Sequence, residues 1–203
     1  MSLVLASASP RRLELLAALG VSFEVDPAGV DESSAEAGPA RLAETLALAK
    51  ARAVAARRPA DIVLGCDTVV ALDGRLLGKP ADAAEARAML RALRGRAHEV
   101  VTGVAAVCAA RGIEAVAHQR TVVVMRAYTD AECEAFIARG EPFDKAGGYA
   151  IQDVEFHTVE RIDGCACGVM GLPLWTLRRL LARAGVEASP PTLDRCAGCP
   201  DRG

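Results

Sequence analysis

The sequence predicts one α/β domain. Apolar runs of strand length alternate with longer stretches whose apolar residues recur at helical spacing, along a chain of 203 residues. Hydrophobic residues make up 52% of the chain and charged residues 25%, which is enough apolar material for a sizeable core. We find no internal repeat or linker and assign residues 1–186 to this domain. Residues 187–203 contain several Pro and Gly residues and are predicted to be a disordered tail, so that their removal leaves fold and activity nearly unchanged.

The first half of the chain predicts two helices, each preceded by a short strand. Residues 2–6 form an apolar strand, and Ser9 and Pro10 then suit the N-cap and the first position of a helix that Gly20 closes. A second strand over residues 23–25 leads into a polar, glycine-containing loop. A long alanine- and leucine-rich helix follows over residues 41–57.

The second half predicts more strands and three further helices. The apolar runs 62–66 and 69–72 are of strand length, and Asp73-Gly74 is typical of a hairpin turn. Thr129 and Glu132 form a capping box, which indicates the start of a helix. The remaining predicted elements are strands over residues 100–107 and 115–125 and helices over residues 82–93, 129–140 and 173–184.

Composition and charge exclude several classes of function. Aromatic residues are only 3% of the chain and the formal net charge is −2, which argues against a base-stacking or nucleic-acid-binding surface. The N-terminus lacks a signal-peptide pattern, and no apolar run approaches the length of a membrane span. The seven cysteines have no disulfide-framework spacing. We therefore expect a cytoplasmic protein with reduced thiols and no membrane partner.

The segment Ser7-Ala8-Ser9-Pro10-Arg11-Arg12 lies between the first predicted strand and helix. Free backbone N–H groups and the positive end of the helix dipole make such a turn suited to phosphate. Two hydroxyls and two guanidinium groups add the donors that phosphate oxygens need. The alternative is a helix cap followed by two solvated arginines.

The segment Gly65-Cys66-Asp67-Thr68 follows an apolar strand. A strand that ends in Asp67 places a carboxylate at the edge where open α/β sheets bind ligands, and that carboxylate can hold Mg²⁺ or orient water. The alternative is a turn aspartate. Lys79, between Gly78 and Pro80, is a weaker signal, and Glu32 and Lys50 are unremarkable by themselves.

The segment from Phe143 to Gln152 contains the pair Gly147-Gly148. Paired glycines let the backbone approach a ligand closely, and the amide of Gln152 can read a base edge. A plain loop is the alternative. His98, His118 and His157 lie in strand-like stretches, where a structural role is expected rather than a catalytic one.

Taken together and in order, these motifs resemble the Maf family. The matching motifs are Ser-x-Ser-Pro-Arg-Arg, Asp-Thr-Val-Val, Gly-Lys-Pro, Gly-Arg-x-His, Asp-Lys-Ala-Gly-Gly-Tyr-x-Ile-Gln and Gly-Leu-Pro-Leu. The resemblance covers about residues 3–180. It implies an elongated α/β fold related to the inosine triphosphatases, with a mixed twisted sheet, flanking helices and a central cleft. It also implies hydrolysis of a nucleoside triphosphate at the α–β bond and a divalent cation, Mg²⁺ or Mn²⁺.

The resemblance assigns roles to individual residues. Asp67 would be the catalytic carboxylate that holds metal and activates water, and Glu32 would assist at the metal. Thr68 and Gln152 would face the nucleotide. The groups that would grip the phosphates are Ser7, Arg11, Arg12, Lys50 and Lys79, with Lys50 and Lys79 counted among the catalytic groups. A homodimer is a possible assembly.

Within the family, the chain resembles the branch that acts on dTTP and UTP. The 7-methyl-GTP branch usually carries Trp at the position of Arg11 and Glu at the position of Gln152. Asp153, where the family usually has Gly, and the segment 165–169 depart from the family pattern near the expected substrate region. The competing hypothesis is a nucleotide-binding regulator of cell division or septum formation in which hydrolysis is weak or incidental.

The cysteines leave three interpretations open. Cys165-x-Cys167 and Cys196-x-x-Cys199 together offer four thiolates to zinc, although the first spacing is tight and the second pair lies on the predicted tail. A disulfide or redox role for the tail is a second interpretation. The third, which the spacing favours, is that these cysteines are incidental.

Overall fold

A computed structural model describes residues 1–31, 36 and 38–202, and its strands form one mixed sheet. The sheet order is β2-β1-β3-β5-β6-β7, and β4 pairs with β3 off this path. Strand β1 is parallel to β2 and β3, and all other pairs are antiparallel. The strands are β1 (Leu3–Leu5), β2 (Glu24–Val25), β3 (Ile62–Leu72), β4 (Arg75–Leu77), β5 (Ala97–Cys108), β6 (Ile113–Met125) and β7 (Val159–Asp163).

Helices cover both faces of the sheet, which confirms the predicted α/β class with a mixed sheet. Helices α1 and α6 pack on the face that carries Leu64, and α2 packs on the face that carries Val63. Helices α3 and α4 pack at the far ends of the long strands, in a separate cluster around Val123 and Met125. The helices are α1 (Pro10–Ala17), α2 (Pro39–Ala55), α3 (Ala83–Leu93), α4 (Asp130–Ala138), α5 (Ala166–Val169) and α6 (Leu174–Arg183).

One edge of β3 has a gap in its strand pairing. Strand β1 pairs with residues 62–64 of β3, and β4 pairs with residues 70–72, while β5 covers the opposite edge over residues 63–71. Residues 65–69 therefore have no strand partner on the first edge among the described residues. This gap lies between the two groups of helices and is where the cleft opens.

Strand β3 continues through Asp67, and this corrects the prediction of two separate strands with an aspartate at a strand end. The polar pair Asp67-Thr68 interrupts the apolar pattern, but both residues stay in the antiparallel ladder with β5. The carboxylate is at a sheet edge because the neighbouring strand β1 ends at Leu5, not because β3 ends.

Two glycines set the distance between α2 and the sheet. A Cβ on Gly65 would lie 2.0 Å from the backbone oxygen of Ala47, and one on Gly103 would lie 2.2 Å from that of Ala43. The α2 backbone thus rests directly on β3 and β5, which brings Lys50, one turn further along α2, to the level of Asp67.

Local turn and capping signals are confirmed. The capping box of Thr129 and Glu132 is present at the start of α4. Asp73 and Gly74 have φ of 50° and 77° and connect β3 to β4 as a two-residue hairpin. Such signals are predictable because both partners lie within a few residues of each other.

The C-terminal segment is packed on the body, in contrast to the predicted disordered tail. Cys196 is 1% exposed and lies in the main core cluster with Leu193 packed against it. The backbone of Ser189 donates to that of Leu19 at 3.0 Å, and Trp175 Nε1 donates to the Cys196 carbonyl at 3.2 Å. Composition misled the prediction because these partners are distant in sequence. Over the residues that the structure describes, no helix has the length and apolar character needed to cross a membrane.

Candidate active site

The gap in β3 opens into a cleft of two adjoining cavities, of about 460 Å³ and about 350 Å³. The turn before α1 and the loop from Asp144 to Gln152 lie on either side of it. Side chains that line both cavities are Ser9, Arg11, Arg12, Lys50, Lys79 and Asp144. Asp67, Thr68 and Gln152 line the larger cavity, and Ser7 lines the smaller one. All the predicted site residues except Glu32 are therefore in one cleft, and Glu32 lies outside the described residues.

The carboxylate of Asp67 is paired with Lys50. Lys50 Nζ lies 2.6 Å from Asp67 Oδ1, and the two side chains are 11% and 10% exposed. Gly65, two residues before Asp67 on the same face of β3, allows the close approach of α2 that makes the pair possible. The lysine gives this largely buried carboxylate a charged hydrogen-bond partner.

Arg12 connects three walls of the cleft. Its Nε donates to the Gly171 carbonyl at 3.0 Å, and its terminal nitrogens contact Ser7 Oγ at 3.2 Å and Thr68 Oγ1 at 3.4 Å. Ser7 Oγ also accepts from the backbone N–H of Ser9 at 3.3 Å. The guanidinium is thereby fixed in orientation beside the N-terminus of α1.

Thr68 belongs to a chain of hydrogen bonds that connects β3 through Thr102 to the backbone of α5. Its Oγ1 lies 2.9 Å from Thr102 Oγ1, and Thr102 donates to the Gly168 carbonyl at 2.7 Å. Thr68 and Asp67 point to opposite faces of β3, so the cleft is flanked by a carboxylate on one side and a hydroxyl on the other.

Backbone groups of β3 also face the gap. Ile62 donates its N–H to Ser2, and the Leu64 carbonyl accepts from Ala6, so even-numbered residues of β3 direct their polar backbone groups to this edge. By the same alternation, the N–H and C=O of Cys66 and Thr68 point into the cleft. An N–H in this position can donate to a phosphate oxygen.

Arg11 is held by Asp144, a residue to which the sequence assigned no role. Arg11 lies 3.2 Å from Asp144 Oδ2, and Lys145 Nζ donates to Asp144 Oδ1 at 2.6 Å. Partial burial raises the pKa of Asp144, but the hydrogen bond and charge of Lys145, together with Arg11, outweigh it, and the net pKa lies below its ordinary value. Asp144 and Lys145 were visible in the sequence as the first two residues of the Asp-Lys-Ala-Gly-Gly motif. Their position opposite Arg11 becomes apparent only in the folded structure.

The loop that carries Gln152 is anchored at two points. The N–H of Gly147, whose φ is 73°, donates to the Gly78 carbonyl at 2.9 Å, which ties the loop to the turn that carries the exposed Lys79. His98 Nε2 lies 2.6 Å from the hydroxyl of Tyr149, and both rings are buried. Burial lowers the pKa of His98 to about 4 and raises that of Tyr149. His98 thus has a structural contact, in line with its predicted role.

Asp153 does not line either cavity. Its carboxylate bonds to Arg139 at 2.9 Å and accepts the backbone N–H groups of Glu155 and Phe156. It caps the turn that follows Gln152 and is directed away from the cleft. The departure from the family pattern at this position is thus a change in the loop and not in the cleft lining.

The side chains present fit a divalent hard cation. Asp67 and Asp144 line the larger cavity together with the cationic residues that pair with them, so a bound cation would take over carboxylate oxygens from these ion pairs. Mg²⁺ and Mn²⁺ are characteristically held by one or two carboxylates together with substrate phosphates. No His or Cys in the cavity linings offers a softer alternative.

Comparison with known proteins identifies the family. The model of the family described as Maf-like protein matches residues 2–184. Similar curated proteins include dTTP/UTP pyrophosphatases of Thermomicrobium roseum (56% identical, covering 98% of this chain and 94% of the relative), Moorella thermoacetica (53%, 91% and 96%) and Deinococcus radiodurans (50%, 91% and 94%). The chain belongs to the Maf family.

Solved structures give more distant likenesses. A nucleoside-triphosphatase, dITP/XTP pyrophosphatase, from Mycobacterium abscessus is 24% identical with a TM-score of 0.44, covering 63% of this chain and 76% of that chain. A HAM1 protein from Coxiella burnetii is 19% identical with a TM-score of 0.44, covering 62% and 73%.

Proposed function

We propose that this protein is a nucleoside triphosphate pyrophosphatase that hydrolyses dTTP and UTP at the α–β phosphoanhydride bond. The observation that carries the proposal is a buried carboxylate, Asp67, in a cleft lined by the cationic side chains of Arg11, Arg12, Lys50, Lys79 and Lys145. A nucleoside triphosphate carries a charge of roughly −4, since terminal phosphates titrate near pH 6. The names of the curated relatives support the same activity.

In this proposal the triphosphate lies along the gap in β3. Its phosphates meet the turn from Ser7 to Arg12, which offers hydroxyls, two guanidinium groups and the N-terminus of α1. Lys79 reaches the same region from the turn after β4. The base and sugar occupy the part of the larger cavity lined by Thr68, Gln152 and Met170.

The reaction needs no covalent intermediate. Asp67 accepts a proton from a water molecule whose oxygen forms the new bond to Pα, while the bond from Pα to the bridging oxygen breaks and its electron pair leaves with pyrophosphate. Lys50, 2.6 Å from the carboxylate, holds Asp67 in orientation before the attack. Arg12 and Lys79 stabilise the charge that develops on the leaving pyrophosphate.

A divalent cation would be held by Asp67 and Asp144, with Glu32 as the further ligand that the family resemblance implies. When bound, it would neutralise phosphate charge and polarise the Pα–O bond. The protein's own contribution is to fix these carboxylates on a strand and on a loop clamped by Lys145.

A pyrimidine preference follows from the neutral amide of Gln152. Uracil and thymine present a carbonyl next to an N–H, and one amide can match this edge with one donor and one acceptor. A cationic, larger 7-methylguanine is better suited to an aromatic face and a carboxylate. The larger cavity has Tyr149 as its one aromatic lining residue in the described chain, and its hydroxyl is engaged by His98.

The test is a panel of dTTP, UTP, CTP, ATP, GTP and 7-methyl-GTP with Mg²⁺ or Mn²⁺, with pyrophosphate and nucleoside monophosphate measured together. We expect stoichiometric amounts of both products, fastest from dTTP and UTP. Release of orthophosphate would contradict cleavage at the α–β bond. Tight nucleotide binding with no turnover for any member would favour the nucleotide-binding regulator instead.

A further inference from the structure

Four cysteines from two distant segments meet in one buried cluster. Cys165 and Cys167 flank the first residue of α5, and Cys196 and Cys199 lie in the C-terminal segment; all four are at most 6% exposed. Cys167 Sγ is 3.0 Å from Cys196 Sγ. The sulfurs of Cys165 and Cys199 and a carboxylate oxygen of Asp201 all lie within 4.8 Å of one another.

One backbone N–H reaches a sulfur of the cluster, and a second backbone hydrogen bond shapes the turn that carries the tail cysteines. Gly168 N–H donates to Cys165 Sγ at 3.3 Å, and Cys199 N–H donates to the Cys196 carbonyl at 3.3 Å, which closes a tight turn between the two tail cysteines. Hydrogen bonds from neighbouring backbone to a ligand atom are the usual support of a metal centre.

We propose that Cys165, Cys167, Cys196 and Cys199 bind one structural zinc ion. Four sulfur ligands with no open position form a closed tetrahedral set, which is the structural type of zinc site. Zn–S bonds of about 2.3 Å place tetrahedral sulfurs about 3.8 Å apart, so the Cys167–Cys196 sulfurs, now 3.0 Å apart, would separate, and the two sulfur pairs would move together around the ion. Two disulfides, Cys167–Cys196 and Cys165–Cys199, would also use all four sulfurs, so the thiol assay below decides between oxidation and zinc binding.

The site would fasten the C-terminal segment to a wall of the cleft. Helix α5 contains both Cys167 and Gly168, and Gly171 follows it; the carbonyls of Gly168 and Gly171 accept from Thr102 and Arg12. The zinc ion would thereby hold the segment that orients Arg12, and none of the four cysteines lines either cavity of the cleft. This role is independent of the reaction proposed above.

Metal analysis of the full-length protein tests the proposal directly. The chain is expressed in zinc-supplemented medium, purified with a phosphine reductant, and assayed for zinc and free thiols. We expect about one zinc per chain in the wild type and in Cys133→Ser, a control in which a buried cysteine outside the cluster is changed. The double variant Cys196→Ser/Cys199→Ser should retain less than about a tenth of that zinc.

Two further measurements keep the test independent of folding defects. Co²⁺ added to the reduced, metal-free wild type should give intense thiolate-to-cobalt charge-transfer bands with tetrahedral d–d absorption, and Cys199→His, which keeps a ligand, should still bind metal. A zinc chelator should lower Tm, and zinc should restore it.

A metal-free wild type that takes up neither zinc nor cobalt when reduced overturns the proposal, as does a Cys167–Cys196 disulfide in protein purified without oxidant. Iron in place of zinc after supplementation overturns the identity of the metal.

Discussion

Lys50 Nζ lies 2.6 Å from Asp67 Oδ1, and each side chain is about nine-tenths buried. The pair joins α2 to the unpaired edge of β3 and places a fixed negative charge in a cleft whose other polar groups are mostly cationic or hydroxyl. A buried ion pair contributes little net stability in itself but is damaging to break, because the remaining charge loses its partner. The position of the Lys50–Asp67 pair therefore indicates a role in the proposed reaction more than a role in stabilising the fold.

Replacing Asp67 by Asn keeps the shape of the side chain and removes its charge. We expect kcat to fall by about 10²-fold or more, as for the loss of a general base, while triphosphate binding survives. Steady-state kinetics with dTTP and a binding isotherm with a non-hydrolysable analogue measure the two effects. Asp73→Asn, in the exposed hairpin turn, is the control and should be unaffected; near-normal turnover by Asp67→Asn would remove it from the catalytic role.

A double-mutant cycle isolates the energy of the Lys50–Asp67 pair. Lys50→Met leaves a buried carboxylate unpaired and is expected to lower the free energy of unfolding by about 3–5 kcal/mol. The double variant with Asp67→Asn should recover about 1–3 kcal/mol relative to the sum of the single changes. The exposed pair Arg96–Asp73 gives the comparison cycle, with a coupling of about 0–1 kcal/mol. Equal coupling in the two cycles, measured by urea unfolding, would mean that burial does not strengthen the first pair.

Gln152→Glu tests whether the amide of Gln152 selects the nucleotide base. Losing a matched polar contact in the cavity typically costs about 1–3 kcal/mol, so kcat/KM for dTTP and UTP should fall about ten- to a hundredfold relative to that for GTP. Gln119→Glu, at a half-buried position of β6 that lines neither cavity, adds the same charge outside the cleft and keeps an acceptor for Thr176, so it should leave the ratio unchanged. A uniform loss across all nucleotides would assign Gln152 to loop structure instead of base selection.

Gly65→Ala tests the close packing of α2. Its Cβ would lie 2.0 Å from a backbone oxygen, which neither element can relieve by a side-chain rotation. We expect a loss of at least about 3 kcal/mol in unfolding free energy, or failure to fold. Gly38→Ala, where a Cβ has no neighbour within 4 Å, should change stability far less. Comparable Tm values for the two variants would show that the helix does not rest on the sheet as described.

His98 gives a pH dependence of stability with a definite sign. Burial lowers its pKa from 6.5 to about 4, so between these values the unfolded chain binds a proton that the folded chain does not. Above pH 6.5 His98 is neutral in both states and the free energy of unfolding is unaffected by it. As the pH falls towards 4, His98 lowers the free energy of unfolding by at most about 3 kcal/mol. Unfolding free energies at pH 7 and pH 4.5 should therefore differ less in His98→Gln than in the wild type. An identical pH slope in both proteins would indicate that His98 is protonated in the folded state.

The features predicted from the sequence are those with local or motif-level causes. The cap at Thr129 and the turn at Asp73-Gly74 were correct because each depends on neighbouring residues. Most site residues were found through the motifs taken together in order, whereas Lys50 lies in none of them and was assigned only by the family resemblance. Its side chain looks ordinary until α2 is placed over Gly65. The prediction that the strand ends at Asp67 was wrong. Pairing with β5 keeps the polar residues in the strand, and the sequence of one segment does not reveal this pairing.

The C-terminal segment was also predicted wrongly because its long-range contacts are not visible in the local sequence. Its composition is that of a disordered tail, and only contacts with residues far along the chain, such as Trp175, hold Cys196 in the core. Asp144 was visible in a motif but had no role until Arg11 was found opposite it. In each case the missing information was a partner more than 20 residues away.

The gap beside β3 also bears on whether a strand from another molecule can add at this edge of the sheet. An exposed strand edge is a template on which a strand from another molecule can add, which leads to aggregation. Here the unpaired stretch is limited to residues 65–69 and is recessed between β1 and β4, so an incoming strand would be blocked at both ends. It would also have to bury the ionised side chains of Asp67 and Lys50 against its own backbone. The edge can thus stay open to a small ligand while excluding another polypeptide.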